Sequence, residues 1–198
     1  KTHNKTMILI QDKILSGERP LYGSRDLRLE RVTIGEGESA LKECRRIEAR
    51  NCEIQGMYVF WECEDVECRN CRFASSDRAP LWYGKNIRMH DCIMDAPKVF
   101  RELDGLTLEN IQISDGAEAF WYCKNGHLSD LTMQRAEYAF MQSNHLTINR
   151  INLHGKYTFQ YARNIEIHLA ILDTNDAFWN SEDCTIYDSD VKGEYLGW

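Results

Sequence analysis

Proline is scarce, three in 198 residues, and no stretch is rich in serine and glycine. Nothing therefore reads as an interdomain linker, and a single domain is expected. Apolar runs are short as well. None approaches the roughly eighteen residues that a membrane helix needs, so no membrane span is expected. Lys1 to Leu15 carries one brief apolar patch and no small-residue cleavage site, unlike a signal peptide. Positive charge is in deficit, with 24 Lys and Arg against 31 Asp and Glu, a net −7. A generic nucleic-acid binder would show a basic stripe, so nucleic acid is not an expected partner. An anionic polysaccharide would need a bridging cation. A helical period is missing too, since no window sustains apolar residues at i, i+3, i+4 and i+7.

What the chain has instead is a repeat. Aligned on Leu27, Ile47, Val66, Ile87, Leu106, Gly126, Leu146, Ile165 and Cys184, it advances in steps of 19 to 21 residues. Columns two, five and seven residues after each anchor are apolar or small, as in Leu108, Ile111 and Ile113 after Leu106. Six residues before each anchor only Leu or Phe occurs, from Leu21 to Phe178. The unit thus reads apolar-x-apolar, a two-residue bend, then apolar-x-apolar. Period-two alternation means strand, with every second side chain pointing inward. Two short strands joined by a bend are expected in each unit, plus a third strand carrying the Phe/Leu column. Such a trio cannot bury its apolar face alone, but stacked copies spaced about 4.8 Å apart can.

The fold expected is all-β: a single-stranded right-handed parallel β-helix of about nine coils, right-handed because parallel crossovers almost always are. A pentapeptide-repeat helix would need a five-residue beat, and a left-handed hexapeptide helix coils of eighteen. Residues 1–24 are expected to form an N-terminal cap and first partial coil, and residues 25–198 the remaining coils. The last of these ends in mid-coil without a C-terminal cap, an uncapped edge open to a partner or to self-association. The bend opens on Asn or Asp in six coils, namely Asn51, Asn70, Asp91, Asn110, Asp130 and Asp188. These residues tolerate left-handed backbone, and stacked Asn amides can hydrogen-bond along the stack. A second polar corner carries Asp26, Asp65, Asn86, Asn125, Asn164 and Asp183.

Six strings in order, Pro20–Gly23, Gly37–Glu43, Ala79–Tyr83, Gly155–Tyr161, Leu172–Trp179 and Val191–Trp198, carry a family likeness. The chain resembles a bacterial family known as domain of unknown function 3737, over about Gln11 to Trp198. The resemblance implies a right-handed β-helix of pectin-lyase-like type, with two or three further coils in other members, and it supplies no activity. Signatures of the polygalacturonase-like enzymes of that fold, Asp-Asp, Gly-His-Gly and Arg-x-Lys, are missing from this chain. Fold alone does not confer function.

Of the chemistry-bearing residues, eight cysteines come first. Cys68 and Cys71 form one C-x-x-C, but no second pair exists to complete a zinc site. Cys52, Cys71 and Cys92 share an inward column, as do Cys44, Cys63 and Cys123, which reads as core filler. Unpaired thiols without a signal peptide point to the cytoplasm. No two histidines stack on neighbouring coils, and neither metal nor cofactor is expected. Asp95, Asp115 and Glu118 follow one another on consecutive coils near Arg101, but solvated turn charge explains them better than a cation site.

The column five before each anchor is the most informative. It runs Tyr22, Lys42, Trp61, Trp82, Arg101, Trp121, Met141, Gln160, Trp179. Beside it run Glu43, Glu62, Tyr83, Glu102, Tyr122, Gln142, Tyr161 and Asn180. Strict alternation from the inward Phe column points the Trp column outward. Exposed rings edged by carboxylates are what a sugar groove needs, because rings cover pyranose faces while carboxylates take hydroxyls. The expected contact residues for a carbohydrate or protein partner are Trp61, Trp82, Tyr83, Arg101, Trp121, Tyr122, Tyr161 and Trp179. If the protein is a hydrolase or lyase, the acids are Glu43, Glu62 and Glu102, with Glu43 and Glu62 about 5 Å apart on the rung spacing. Packing of the same rings at a corner, in a purely structural or oligomerising solenoid, is the plain alternative.

Overall fold

A computed structural model describes residues 6–197. The expected cap residues before Thr6, and Trp198, lie outside the described residues. The protein is a parallel β-solenoid of about ten turns, and every strand pair is parallel. One face stacks ten strands, beginning with Ile8–Gln11, Arg25–Glu30 and Arg45–Arg50 and ending with Arg163–His168 and Glu182–Tyr187. A second face stacks Ile14–Glu18, Thr33–Glu38, Glu53–Ile54 and Arg72–Phe73, continues through the ends of the long strands Lys85–Met94 to Asn144–Lys156, and finishes with Ile171–Asn175 and Asp190–Lys192. Among the described residues none is helical, and no helix is long and apolar enough to cross a membrane.

The alignment read from the repeat is the register of the sheet. Leu27 pairs with Ile47, Ile47 with Val66, Val66 with Ile87, and so on to Ile165 with Cys184. Inward columns are buried along nearly the whole length, giving one continuous core from Leu27 to Phe178. Ile8–Gln11 and Ile14–Glu18 pair with Arg25–Glu30 and Thr33–Glu38, so this segment of the expected cap is built as a rung of the stack.

The polar bend behaves as its residues dictate. Asn51, Asn70, Asp91, Asn110, Asp130 and Asp188 all have φ near +50°. The Asn70 amide donates to Asn51 Oδ1 at 2.6 Å, and the Asn110 amide to Asp91 Oδ1 at 2.7 Å. At the second corner the Asn125 amide reaches Asp104 at 2.8 Å.

The third strand is a correction. Residues 40–43, and their counterparts at 59–62, 138–142, 158–161 and 177–180, form a turn in place of a strand. In the middle rungs only isolated parallel bridges link Trp82, Arg101 and Trp121. Alternate residues are left-handed, as in Glu118 at φ 58°, Phe120 at 62° and Tyr122 at 58°. This breaks the pleat, so Ala119 and Phe120, though adjacent, both face the core. Hydrogen bonding from rung to rung survives, with alternating sense. Phe120 N–H donates back to Val99 O, and Tyr122 N–H donates forward to Met141 O. Left-handed backbone costs a non-glycine residue about 1–2 kcal/mol. Burying Phe returns about 1.5–3 kcal/mol, and each ring contact adds about 0.5–1.5 kcal/mol. The rings of Phe100, Phe120, Phe140, Phe159 and Phe178 stack at 4.5 to 4.8 Å. At the Phe position packing therefore outweighs that residue's own backbone strain. No Val, Ile or Thr has positive φ anywhere in the described chain, because a branched Cβ makes that region costlier still.

Variation in step length sits in one place. From the last inward strand residue to the Phe/Leu column the chain advances six residues in one rung (Leu153 to Phe159), seven in another (Met133 to Phe140) and eight in a third (Phe73 to Leu81). All other intervals in the unit are constant. Small residues line this corner where coils close on one another. A Cβ on Gly155 would meet Ala136 O at 2.4 Å.

Candidate functional site

The face that follows the Phe turn carries the Trp column and, beside it, the Tyr/Glu column. Because the turn replaces a pleated strand, the Trp column does not point straight outward. Trp61, Trp82, Arg101 and Trp121 are half-buried and lie along the rod. Each indole N–H donates to a backbone carbonyl on the next rung: Trp61 to Ala79, Trp82 to Lys98 and Trp121 to Tyr138, all at 2.7 Å. That bond fixes the ring over the turn. Trp61 and Trp82 then stack at 5.1 Å with planes 7° apart. Arg101 fills the next level, its Cζ 4.1 Å from the Trp82 ring and 4.4 Å from Trp121. Glu118 lies 3.7 Å from Arg101 Nη2 and 3.4 Å from Lys98. Along this stretch the ring faces cover one another, and a pyranose cannot lie between them.

The neighbouring column stays open. Tyr83, Tyr122 and Tyr161 are 41 to 43% exposed. They alternate with Glu102, Gln142 and Asn180, all exposed, so rings recur on every second rung with a carboxylate or amide between. Tyr83 stands edge-on to Trp61 and Trp82, and Tyr122 edge-on to Trp121, which holds the phenols upright. Of the three glutamates, Glu43 and Glu62 occupy consecutive rungs in this column, and Tyr83 separates Glu62 from Glu102. Glu43 accepts a hydrogen bond from the Tyr22 hydroxyl.

Where the Trp column is interrupted, the surface changes. Met141 and Gln160 stand where earlier rungs have Trp82 and Trp121, and neither spans the turn as an indole does. A cleft of about 600 Å³ opens there, lined by Tyr138, Tyr157, Gln160, Asp176, Trp179 and Tyr195. Tyr138 and Tyr157 stack at 4.9 Å. Trp179, at 47% exposed, is the most open indole among the described residues. Of these residues sequence reasoning singles out Trp179 alone as a contact. The signal that would have found the others is the gap in the column, since an absent ring uncovers the residues it would have roofed.

The cysteines are interior. Seven are buried and Cys184 is half-buried, and none of the eight is paired. Seven of them donate to a backbone carbonyl, as Cys63 does to Leu41 O at 2.8 Å. Hydrogen bonding with the thiols of Cys52, Cys68 and Cys92, and then burial, hold the Cys71 thiol protonated. Burial pushes Cys123 up to about 12. Asp77 is the one buried carboxylate among the described residues. It stands at the small-residue corner, in the column of Gly56 and Ala96, with Oδ1 accepting from Arg78 N–H and Oδ2 unpartnered. Burial lifts it well above the usual carboxylate range.

Residues 8–198 match the model of a family described as "Protein of unknown function (DUF3737)". No curated protein matches the chain. Among solved structures, the A-module of mannuronan C-5 epimerase AlgE4 from Azotobacter vinelandii is similar. The likeness has 9% identity and a TM-score of 0.32, over 96% of this chain and 88% of that one.

Proposed function

Since the chain belongs to the DUF3737 family of proteins of unknown function, we propose its role from its own surface: a carbohydrate-binding solenoid that takes an extended glycan along the rod. The observation that carries this is the alternation of Tyr83, Glu102, Tyr122, Gln142, Tyr161 and Asn180 in one exposed column. A rung rises about 4.8 Å, roughly the advance of one pyranose in an extended chain. Phenol rings on every second rung would then meet every second sugar, while the carboxylate or amides between them take hydroxyls. Trp61, Trp82, Arg101 and Trp121 serve as the stiff backing that keeps the phenols upright. Glu43, Glu62 and Glu102 act as hydroxyl acceptors in this reading, not as an acid–base pair. Unpaired thiols suit a reducing compartment such as the cytoplasm.

The test is a glycan array on the parent chain and on Tyr83→Ala/Tyr122→Ala/Tyr161→Ala. Binding of long glycans by the parent, weakened at least about tenfold in the triple variant, is expected. A parent that binds no glycan, or a triple variant that binds like the parent, would sink the reading.

A further inference from the structure

We infer that the cleft at the gap in the Trp column is a separate subsite for a neutral sugar residue, with Gln160 as its hydrogen-bonding floor. The inference rests on the carbohydrate reading above and not on the tyrosine column.

Gln160 is only 8% exposed and lines the cleft. A residue selected only for packing at so enclosed a position would be apolar, because Gln is mostly exposed in folded proteins. An amide offers two donors and an acceptor, which suits the mixed demand of sugar hydroxyls. The walls supply the rest. Tyr138, Tyr157 and Trp179 present rings for the apolar face of a pyranose, and Asp176 presents a carboxylate acceptor on the next rung.

Charge selects the class. Asp176 is the only charged residue in the lining. Lys156, just outside it, lies 5.6 Å from the Tyr157 centroid and is drawn to Glu137 at 3.9 Å. A uronate or sulfated sugar would set its charge against Asp176 with no cation in the lining to receive it. A neutral hexose or N-acetylhexosamine meets no such penalty. The volume, about 600 Å³, falls in the range of small-molecule sites and holds one or two sugar residues.

The experiment uses the full chain and short probes, neutral mono- and disaccharides that are too short to bridge the tyrosine column, with a uronic acid disaccharide for comparison. Binding is read by intrinsic tryptophan fluorescence and by titration calorimetry. Gln160→Leu should weaken neutral disaccharide binding about tenfold, the loss of one or two hydrogen bonds. Gln160→Trp restores the missing ring and should abolish binding while the melting temperature holds or rises, which separates closure of the cleft from unfolding. The inference is overturned if the uronate binds better than neutral sugars, or if a peptide but no sugar perturbs the fluorescence. It is also overturned if Gln160→Trp binds like the parent. Should long glycans remain sensitive to the triple tyrosine variant while Gln160→Trp changes nothing, the column reading stands and this one fails. Should short neutral sugars be lost in Gln160→Trp while long glycans ignore the tyrosines, the subsite stands and the column reading fails.

Discussion

Arg101 sits over the Trp82 ring, its guanidinium carbon 4.1 Å from the ring centroid, and so occupies the place an indole would take between Trp82 and Trp121. Its Nε and Nη2 have no hydrogen-bond partner, so beyond the ion pair from Nη2 to Glu118 at 3.7 Å its support is the π faces. A cation held against an aromatic ring is worth about 0.5–2 kcal/mol, more when desolvated. Arg101→Ala should therefore lose about 2 kcal/mol in urea unfolding. Arg101→Lys should recover little of it, because an ammonium on a flexible stem is not a planar slab. A lysine variant as stable as the parent would show that charge alone, without stacking, holds the column.

The left-handed Phe column predicts a difference between two isomers. At Phe140, φ 64°, Phe140→Leu and Phe140→Ile remove similar volumes from the same stack. Ile adds a branched Cβ to a backbone that resists it, and should be less stable than Leu by about 1–2 kcal/mol. Paired chemical melts decide this, and equal stability would refute the left-handed turn.

Asp77 makes stability depend on pH. Its folded pKa is raised by burial above an ordinary value of 3.8. The folded state therefore holds the proton more tightly than the unfolded chain. Its contribution is whole below the ordinary value and is lost as pH rises through the raised one. Asp77→Asn, which cannot ionise, should gain on the parent as pH climbs from about 4 to 8, and match it most closely at the acid end. Melting curves at both ends measure the gain, and a flat difference would count against the burial of this carboxyl.

Thiol chemistry should divide the cysteines. Cys184 is half-buried, and the other seven are sealed in the core. In native protein a thiol reagent should modify Cys184 first, and Cys52, Cys71 and Cys92 only at the rate of global unfolding, because the core shuts the reagent out. Denaturant should release all eight. Rapid native reaction at Cys71 would argue that the column is open to solvent.

The strand register is legible in the sequence because burial on a stacked sheet forces the same positions to be apolar in every rung, and the anchors Leu27 to Cys184 are its partners without a shift. The turn is harder to see, because alternation of inward and outward positions says nothing of the point where strands stop. Side-chain branching does mark that point. Val, Ile and Thr abound in the strands, whereas the Phe/Leu column and the Tyr/Glu column contain none. Periodicity finds the Trp column as a ladder but not its freedom, since composition cannot tell whether a row of rings faces solvent or its own neighbours. For the same reason only the gap at Met141 and Gln160, an absence within the Trp column, points to Tyr138 and Tyr157.

Step lengths vary only between the last inward strand residue and the Phe/Leu column, and that corner supplies Tyr138, Tyr157, Asp176 and Tyr195 to the cleft. The rod thus separates two kinds of change along its perimeter. On the strand faces an added residue would throw every later side chain out of phase with the coils on either side. At this corner one or two can be added or removed while the inward columns stay in phase. Descendants of such a chain could reshape what they recognise by trimming or extending one edge of the rod, with the hydrophobic interior never consulted.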